Sequence, residues 1–261
     1  MNKDSLKKLA TDKRFIADIH VFCDRWCERC AYTSRCMNFA INQSAFRESK
    51  ADASTQQAVW TQLQNLLKAS RDLLKEVADR EGISMPSLNE LQAPAAMPVK
   101  PKPAEAAHAL VLAARTYHRQ ARQWFLTSRD LFKAKTREFR WRSGSGEAEF
   151  AMARDVSQWD DAMVVIRWYM PQIEIKLTRA VDIAPETAAL TFNGHRDVEG
   201  HAKVALIGMD RSLTAWGFLM QEFPDTEDEI LPILSSLSKL QKDVETAFPF
   251  ARAFKRPGFD S

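Results

Sequence analysis

All four cysteines of this 261-residue chain fall within one short stretch, HVFCDRWCERCAYTSRC, at Cys23, Cys27, Cys30 and Cys36. Their spacing is C-x3-C-x2-C-x5-C. Thiols this dense serve as metal or cluster ligands, as a redox dithiol, or as small apolar residues in a packing seam, since free cysteine is among the most buried residue types. Core cysteines have no reason to avoid every other helix of a chain, so the confinement of the set favours ligation. Cys23, Cys27, Cys30 and Cys36 are the expected metal ligands, and an iron–sulfur cluster or zinc is the expected guest. The role this implies is structural stapling or redox sensing; no reaction is legible, and the residues leave open whether the chain is an enzyme.

Geometry constrains the ligand reading. Cys23, Cys27 and Cys30 share a helical face with Phe15, Ile16, Ile19, Phe22 and Trp26, which predicts an amphipathic helix. A straight helix rises about 1.5 Å per residue, so Cys23 and Cys30 would stand roughly 10 Å apart along its axis. A zinc ion needs its sulfurs only about 4 Å from one another. Either the helix unwinds around Cys27–Cys30, or a larger iron–sulfur cluster takes up the wider spread. Thr33 and Ser34 offer hydroxyl caps for a new helix, which lets the chain turn after Cys30 and bring Cys36 back. Arg25, Arg29 and Arg35 surround the thiols and are expected to lower their pKa values. His20, one turn before Cys23, is an alternative ligand or a partly buried neighbour. A Cys27–Cys30 disulfide needs Cα atoms about 4.4–6.8 Å apart and closes only with distortion, which ranks the dithiol third.

The first three cysteines are similar in spacing to those of radical-SAM enzymes, which implies a β/α barrel. The chain has no alternating strands or glycine-rich cofactor loops, and Cys36 would occupy the iron that such chemistry leaves open. That reading is rejected.

A second pattern is electrostatic. Arg115, Arg119, Arg122, Arg129, Lys133, Arg137 and Arg140 share one side of a long helical pattern, opposite its apolar seam, with Leu126 the sole interruption. The row would extend roughly 40 Å at about 1.5 Å per residue. Nucleic acid, or an acidic protein, is the partner such a row would attract. Against this, long helices ordinarily solvate their outer face with charge, and Asp155, Asp160 and Asp161 on the following helix are available to pair with it. The aromatic interleaving of single-strand binders is missing from this side. A helical interaction module with packing cysteines is therefore the alternative to a metal protein.

Two further groups of candidate ligands carry less. Glu105-x-x-His108 has the form of half a carboxylate-bridged di-iron site, but its second half is absent. His195, Asp197, Glu199 and His201 sit at a loop-to-helix junction and fit no metal template; Asp197 or Glu199 equally serves the helix dipole. No serine or cysteine nucleophile is partnered with a base.

The elements that must position these residues are helical. With 45% hydrophobic and 27% charged residues the chain reads as globular, and eight glycines are too few for phosphate-cradling loops or a turn-dense β architecture. The predicted fold is all-α: a multi-helix bundle with a long antiparallel helical hairpin and a smaller cysteine-bearing helical region. Residues 1–82 form that N-terminal region, 83–104 a proline-rich linker, and 105–261 the C-terminal bundle. In the bundle, a helix from Glu105 to Trp141 turns at Ser143-Gly-Ser-Gly into a partner ending near Val181, which Pro171 should kink. A helix from about Val198 to Phe223 follows, then a last one opened by a Thr226-x-x-Glu229 capping box. No apolar run approaches a membrane span, and MNKDSLKKLATDKR lacks the apolar core of a secretory signal. The cytoplasm, where thiols stay reduced, is the expected compartment.

Overall fold

The computed structural model describes residues 3–47, 56–84, 105–142, 148–182 and 194–260. Among these the fold is all-α, with eight α-helices and no strand. The chain divides into two compact units: Met1–Lys100 together with Arg256–Ser261, and Pro101–Lys255. The first unit is thus built from both ends of the sequence, whereas the pattern of residues assigns everything after Glu105 to the bundle. The stretch read as a linker lies outside the described residues from residue 85 onward.

In the first unit, α1 (Lys3–Thr11), α2 (Met37–Arg47) and α3 (Gln56–Glu81) pack against one another. Lys7 and Lys3 of α1 both reach Glu76 of α3, and these two ammonium groups hold its carboxyl down at about 2. Helix α3 stops where Gly82 predicts. Gly82 takes φ +69, and the amides of Gly82 and Ile83 bond back to the carbonyls of Asp79 and Ala78 (3.4 and 2.8 Å), which satisfies the last turn.

The helix that the spacing predicts through Phe15–Cys30 does not form. Residues 12–36 run as turns with two single-turn 3₁₀ segments, Cys27–Arg29 and Thr33–Arg35. Local polar contacts outcompete the helix. Asp12 and Asp24 accept the backbone N–H of Arg14 and Trp26 (3.0 and 3.1 Å), and Asp18 and Arg25 adopt left-handed φ values of 59° and 60°. The amide of Ile16 also donates to the carbonyl of Arg35 (3.0 Å), folding the segment back on itself.

The second unit is a four-helix bundle formed by α4 (Glu105–Thr127), α6 (Ala148–Asp182), α7 (Gly194–Glu222) and α8 (Glu227–Ala247). Each packs on two of the others in a closed ring, α4 on α6, α6 on α7, α7 on α8 and α8 on α4, and the α6–α7 seam is the most extensive. That seam is close because α7 presents Gly208 to α6: a Cβ there would lie 2.9 Å from Tyr169 Cδ1. Tyr117, Ile166, Ile173, Leu206, Met209 and Trp216 are among the side chains removed from solvent.

Helix α5 (Arg129–Arg142) packs on α6, so the hairpin is present, but its first arm is broken at Ser128 rather than continuous. The Ser128 amide still bonds the Trp124 carbonyl (2.9 Å) and the Phe132 amide the Ser128 carbonyl (3.2 Å), and the Thr127 hydroxyl bonds the carbonyls of Gln123 and Trp124 (3.2 and 3.1 Å). The Ser143–Gly146 turn lies outside the described residues. Pro171 sits inside α6, which runs on to Asp182. The capping box at Thr226 is not made: its hydroxyl donates to the Phe223 carbonyl (2.8 Å), closing the Pro224–Thr226 turn instead. No helix among the described residues is long and apolar enough to cross a membrane.

Candidate metal centre

Unwinding is what brings the cysteines together. Cys23, Cys27, Cys30 and Cys36 all line one small cavity of about 20 Å³, walled by Ile19, Trp26, Thr33, Phe39 and Phe259. A helix would have strung the thiols along its axis; successive turns return them to a common space. The amide of Cys27 bonds the carbonyl of Arg25 (3.0 Å), and that of Cys30 the carbonyl of Cys27 (3.2 Å). The Thr33–Arg35 turn then delivers Cys36 directly before α2, with the Ala40 amide donating to the Cys36 carbonyl (3.1 Å). Cys36 therefore sits at the N-terminus of α2.

The sulfurs are free thiols, each partly shielded from water. Cys30 Sγ accepts the backbone N–H of Tyr32 (3.4 Å), a bond that strengthens as the sulfur gains charge. The Cys23 thiol donates to the carbonyl of His20 (3.4 Å), so His20 meets the cluster through its backbone. Arg29 lays its guanidinium over the Trp26 ring at 4.1 Å, a cation–π contact on one cavity wall.

The arginines do not have the predicted effect on Cys27. Burial pushes its thiol above the ordinary value, and the neighbouring Cys23, Glu28, Cys30 and Cys36 push it further. The same repulsion shows that all four sulfurs share one electrostatic neighbourhood. Four thiolates cannot collect there without a cation to offset them. Among the described residues no group of three or more His, Cys, Asp or Glu side chains is already gathered to hold a metal ion. The thiols share a cavity wall without being gathered around one point.

The remaining sequence candidates are dispersed. In the basic row Arg115 pairs with Glu174 of α6 at 3.0 Å, and Lys133 with Asp130 at 2.9 Å. Arg119 reaches Thr116 (3.4 Å) and Arg137 the Lys133 carbonyl (3.3 Å), while Arg122 and Arg129 are exposed. The break at Ser128 divides the row between two helices, and the Arg140 side chain lies outside the described residues. Burial pushes the Glu174 carboxyl up, but His118 (2.9 Å) and Arg115 outweigh it and leave it below the usual carboxylate range. His108 is exposed at the start of α4, far from the form of a bundle-core site.

Of the junction residues, His201 is buried against α6; the side chain of His195 lies outside the described residues, and Asp197 and Glu199 are half-buried. Two large buried polar side chains carry no sequence flag. Lys176 is 1% exposed, on the α6 face that also buries Ile173, Leu177 and Ala180, so the signal was a lysine at a seam position. Tyr117 accepts a hydrogen bond from the indole of Trp216 (3.1 Å) in the bundle core, a pairing invisible in a one-dimensional pattern. No protein-family model, curated protein or solved structure significantly matches this chain.

Proposed function

We propose that the first unit is a metal-stapled domain whose centre, an iron–sulfur cluster or zinc, is held by the thiolates of Cys23, Cys27, Cys30 and Cys36. The observation that carries this reading is the convergence of the chain's entire thiol complement on one cavity, by way of a segment that has given up helix to achieve it. The donor set suits either guest, since thiolates ligate both zinc and iron–sulfur clusters.

The role is primarily structural. Among the described residues the large buried apolar side chains of this unit are Leu6, Ile19, Phe22 and Trp26, and two of these are themselves cavity walls. A core that small needs a further constraint, and metal–thiolate bonds supply folding free energy directly. The residues' own contributions are local. Tyr32 donates its amide to Cys30 Sγ and the start of α2 places Cys36, while Ile19, Trp26 and Phe39 wall the cavity. Redox sensing is a further role open to an iron–sulfur guest, and a reducing compartment such as the cytoplasm keeps the thiols available.

Anaerobic purification with a visible spectrum and iron and zinc analysis per chain tests the reading. About one zinc in a colourless protein identifies a staple; brown protein with iron and sulfide identifies a cluster. Cys23→Ser and Cys27→Ser variants should lose the metal and the cooperative unfolding of the first unit. Retention of both would reduce the cysteines to packing residues.

A further inference from the structure

We infer that the turn Arg256–Asp260 is the closing wall of the four-cysteine cavity, and that its release is the route by which the guest leaves. This rests on the metal-centre reading above and adds an element far from the cysteines in sequence.

Phe259 lines the cavity beside the thiols and stands edge-on to Tyr32, with ring centroids 5.0 Å apart and planes at 73°. Tyr32 is the residue whose amide donates to Cys30 Sγ. The turn thus touches the centre twice, once as wall and once through the backbone that holds a ligand. Its internal bracing is complete. Asp260 receives Arg256 in a fork, Nε to Oδ2 at 3.0 Å and Nη2 to Oδ1 at 2.9 Å, and Oδ2 also accepts the Arg256 backbone N–H at 3.0 Å. The amides of Phe259 and Asp260 both donate to the Arg256 carbonyl (3.2 Å each), and the Arg256 guanidinium covers the outer face of Phe259 at 4.8 Å from the ring centroid.

Gly258 fits the turn to its seat. Its φ is +79, and a Cβ would lie 2.8 Å from Ile16 Cδ1 and 3.0 Å from Ile19 Cδ1. Ile19 is 2% exposed and is itself a cavity wall, so the turn docks with no space to spare. These features make a preformed plug, rigid in itself and held to the cysteine loop by Gly258, Phe259 and Tyr32.

Two consequences follow. An aromatic wall over thiolates excludes water and slows both exchange and oxidation of the guest. Linkage also requires reciprocity: a turn that favours guest retention is itself held more firmly when the guest is present.

The experiment uses the full chain loaded with zinc, a colorimetric chelator in excess, and the rate of zinc release. Phe259→Ala, Asp260→Asn and Gly258→Ala alter the plug without touching a thiol. Each should release zinc faster, by about tenfold for the loss of the aromatic wall. Phe250→Ala, an exposed position in the other unit, should leave the rate unchanged. Wild-type release rates in all three plug variants would overturn the plug and leave the metal centre standing. A wild-type chain that takes up no zinc or iron would overturn the centre itself, and the plug with it. Amide hydrogen exchange of residues 256–260 in the unmutated chain gives a check independent of variant folding. Protection should rise on zinc loading, and equal protection with and without zinc would refute the linkage.

Discussion

Replacing His201 should remove a specific, calculable part of this protein's sensitivity to acid. The imidazole projects from α7 into the bundle, 6% exposed, and burial together with the charges of Lys176 and Arg179 lowers its pKa from 6.5 to about 4. A folded state that prefers the neutral ring binds fewer protons than the unfolded chain in that interval. Stability contributed by His201 is therefore complete above pH 6.5 and drains away as pH falls to about 4. At about 1.4 kcal/mol per pH unit, the loss across this window is about 3 kcal/mol, a large fraction of the stability of a typical domain. Urea titrations at several pH values between 7.5 and 4, followed by tryptophan fluorescence, would measure it. Trp124, Trp141, Trp159, Trp168 and Trp216 all belong to the second unit, so the signal reports mainly on the bundle. His201→Gln cannot take up the proton, and its stability should be flatter by about 3 kcal/mol over the window, whatever its starting value. Parallel pH profiles for the two proteins would refute the reasoning, because they would mean that His201 does not charge during acid unfolding.

Three further outcomes are expected. Gly208→Ala, ordinarily stabilising in a helix by up to about 1 kcal/mol, should instead destabilise the bundle by about 1–3 kcal/mol, because the added methyl meets Tyr169 and Ile173; denaturant midpoints decide the sign. Tyr117→Phe should cost about 1–3 kcal/mol in the same assay by leaving the Trp216 indole N–H without its buried acceptor; burial holds the Tyr117 hydroxyl at about 12, so the effect should not change between pH 6 and 9. In the metal-free chain the raised Cys27 pKa favours the folded state below its ordinary value of 9.0 and ceases to do so as pH rises through the folded value, whereas guest retention runs the other way, since thiolates must shed protons to ligate. Chelator competition that did not strengthen toward acid pH would argue against thiolate ligation.

The fold class was legible because periodicity reports which face of a helix is buried, and Leu110, Ala114, Tyr117, Ala121 and Trp124 do form the inner face of α4. The Gly82 stop was legible for the same kind of local reason. Errors arose where a short-range polar contact decides the backbone. Thr226 bonds Phe223 instead of capping α8, and the break at Ser128 leaves no mark in the apolar pattern. The Phe15–Cys30 segment is the most instructive case. Its apolar residues recur at helical intervals, and Ile19, Phe22 and Trp26 are indeed buried, yet Asp12, Asp18 and Asp24 supply turns that the hydrophobic pattern does not register. That the four cysteines belong together is legible from spacing alone, and they do line one cavity. Phe259 was not, because no local rule connects it to a loop at the other end of the sequence.

The two units differ in how they bury apolar side chains, and the proposed metal staple falls in the one that buries fewer large ones among the described residues. The bundle removes Ile166, Ile173, Leu177, Leu206, Met209 and Trp216 fully from water and closes its four helices in a ring, so hydrophobic burial suffices. In the first unit α3 leaves Trp60, Leu63, Leu67 and Leu74 exposed, and the packing with α1 and α2 buries mainly Leu6, Ala69 and Ala78. Among the described residues, three of the four large buried apolar side chains of that unit, Ile19, Phe22 and Trp26, come from the cysteine-bearing loop, which has neither α-helix nor sheet to satisfy its backbone. A segment of that kind bears conformational entropy without the usual compensation. Cross-links through a shared guest are most effective where regular structure is least, and they would add little to a bundle that is already closed. Under the proposed staple, every thiol of the chain is expected in the first unit, and all four lie within fourteen consecutive positions there.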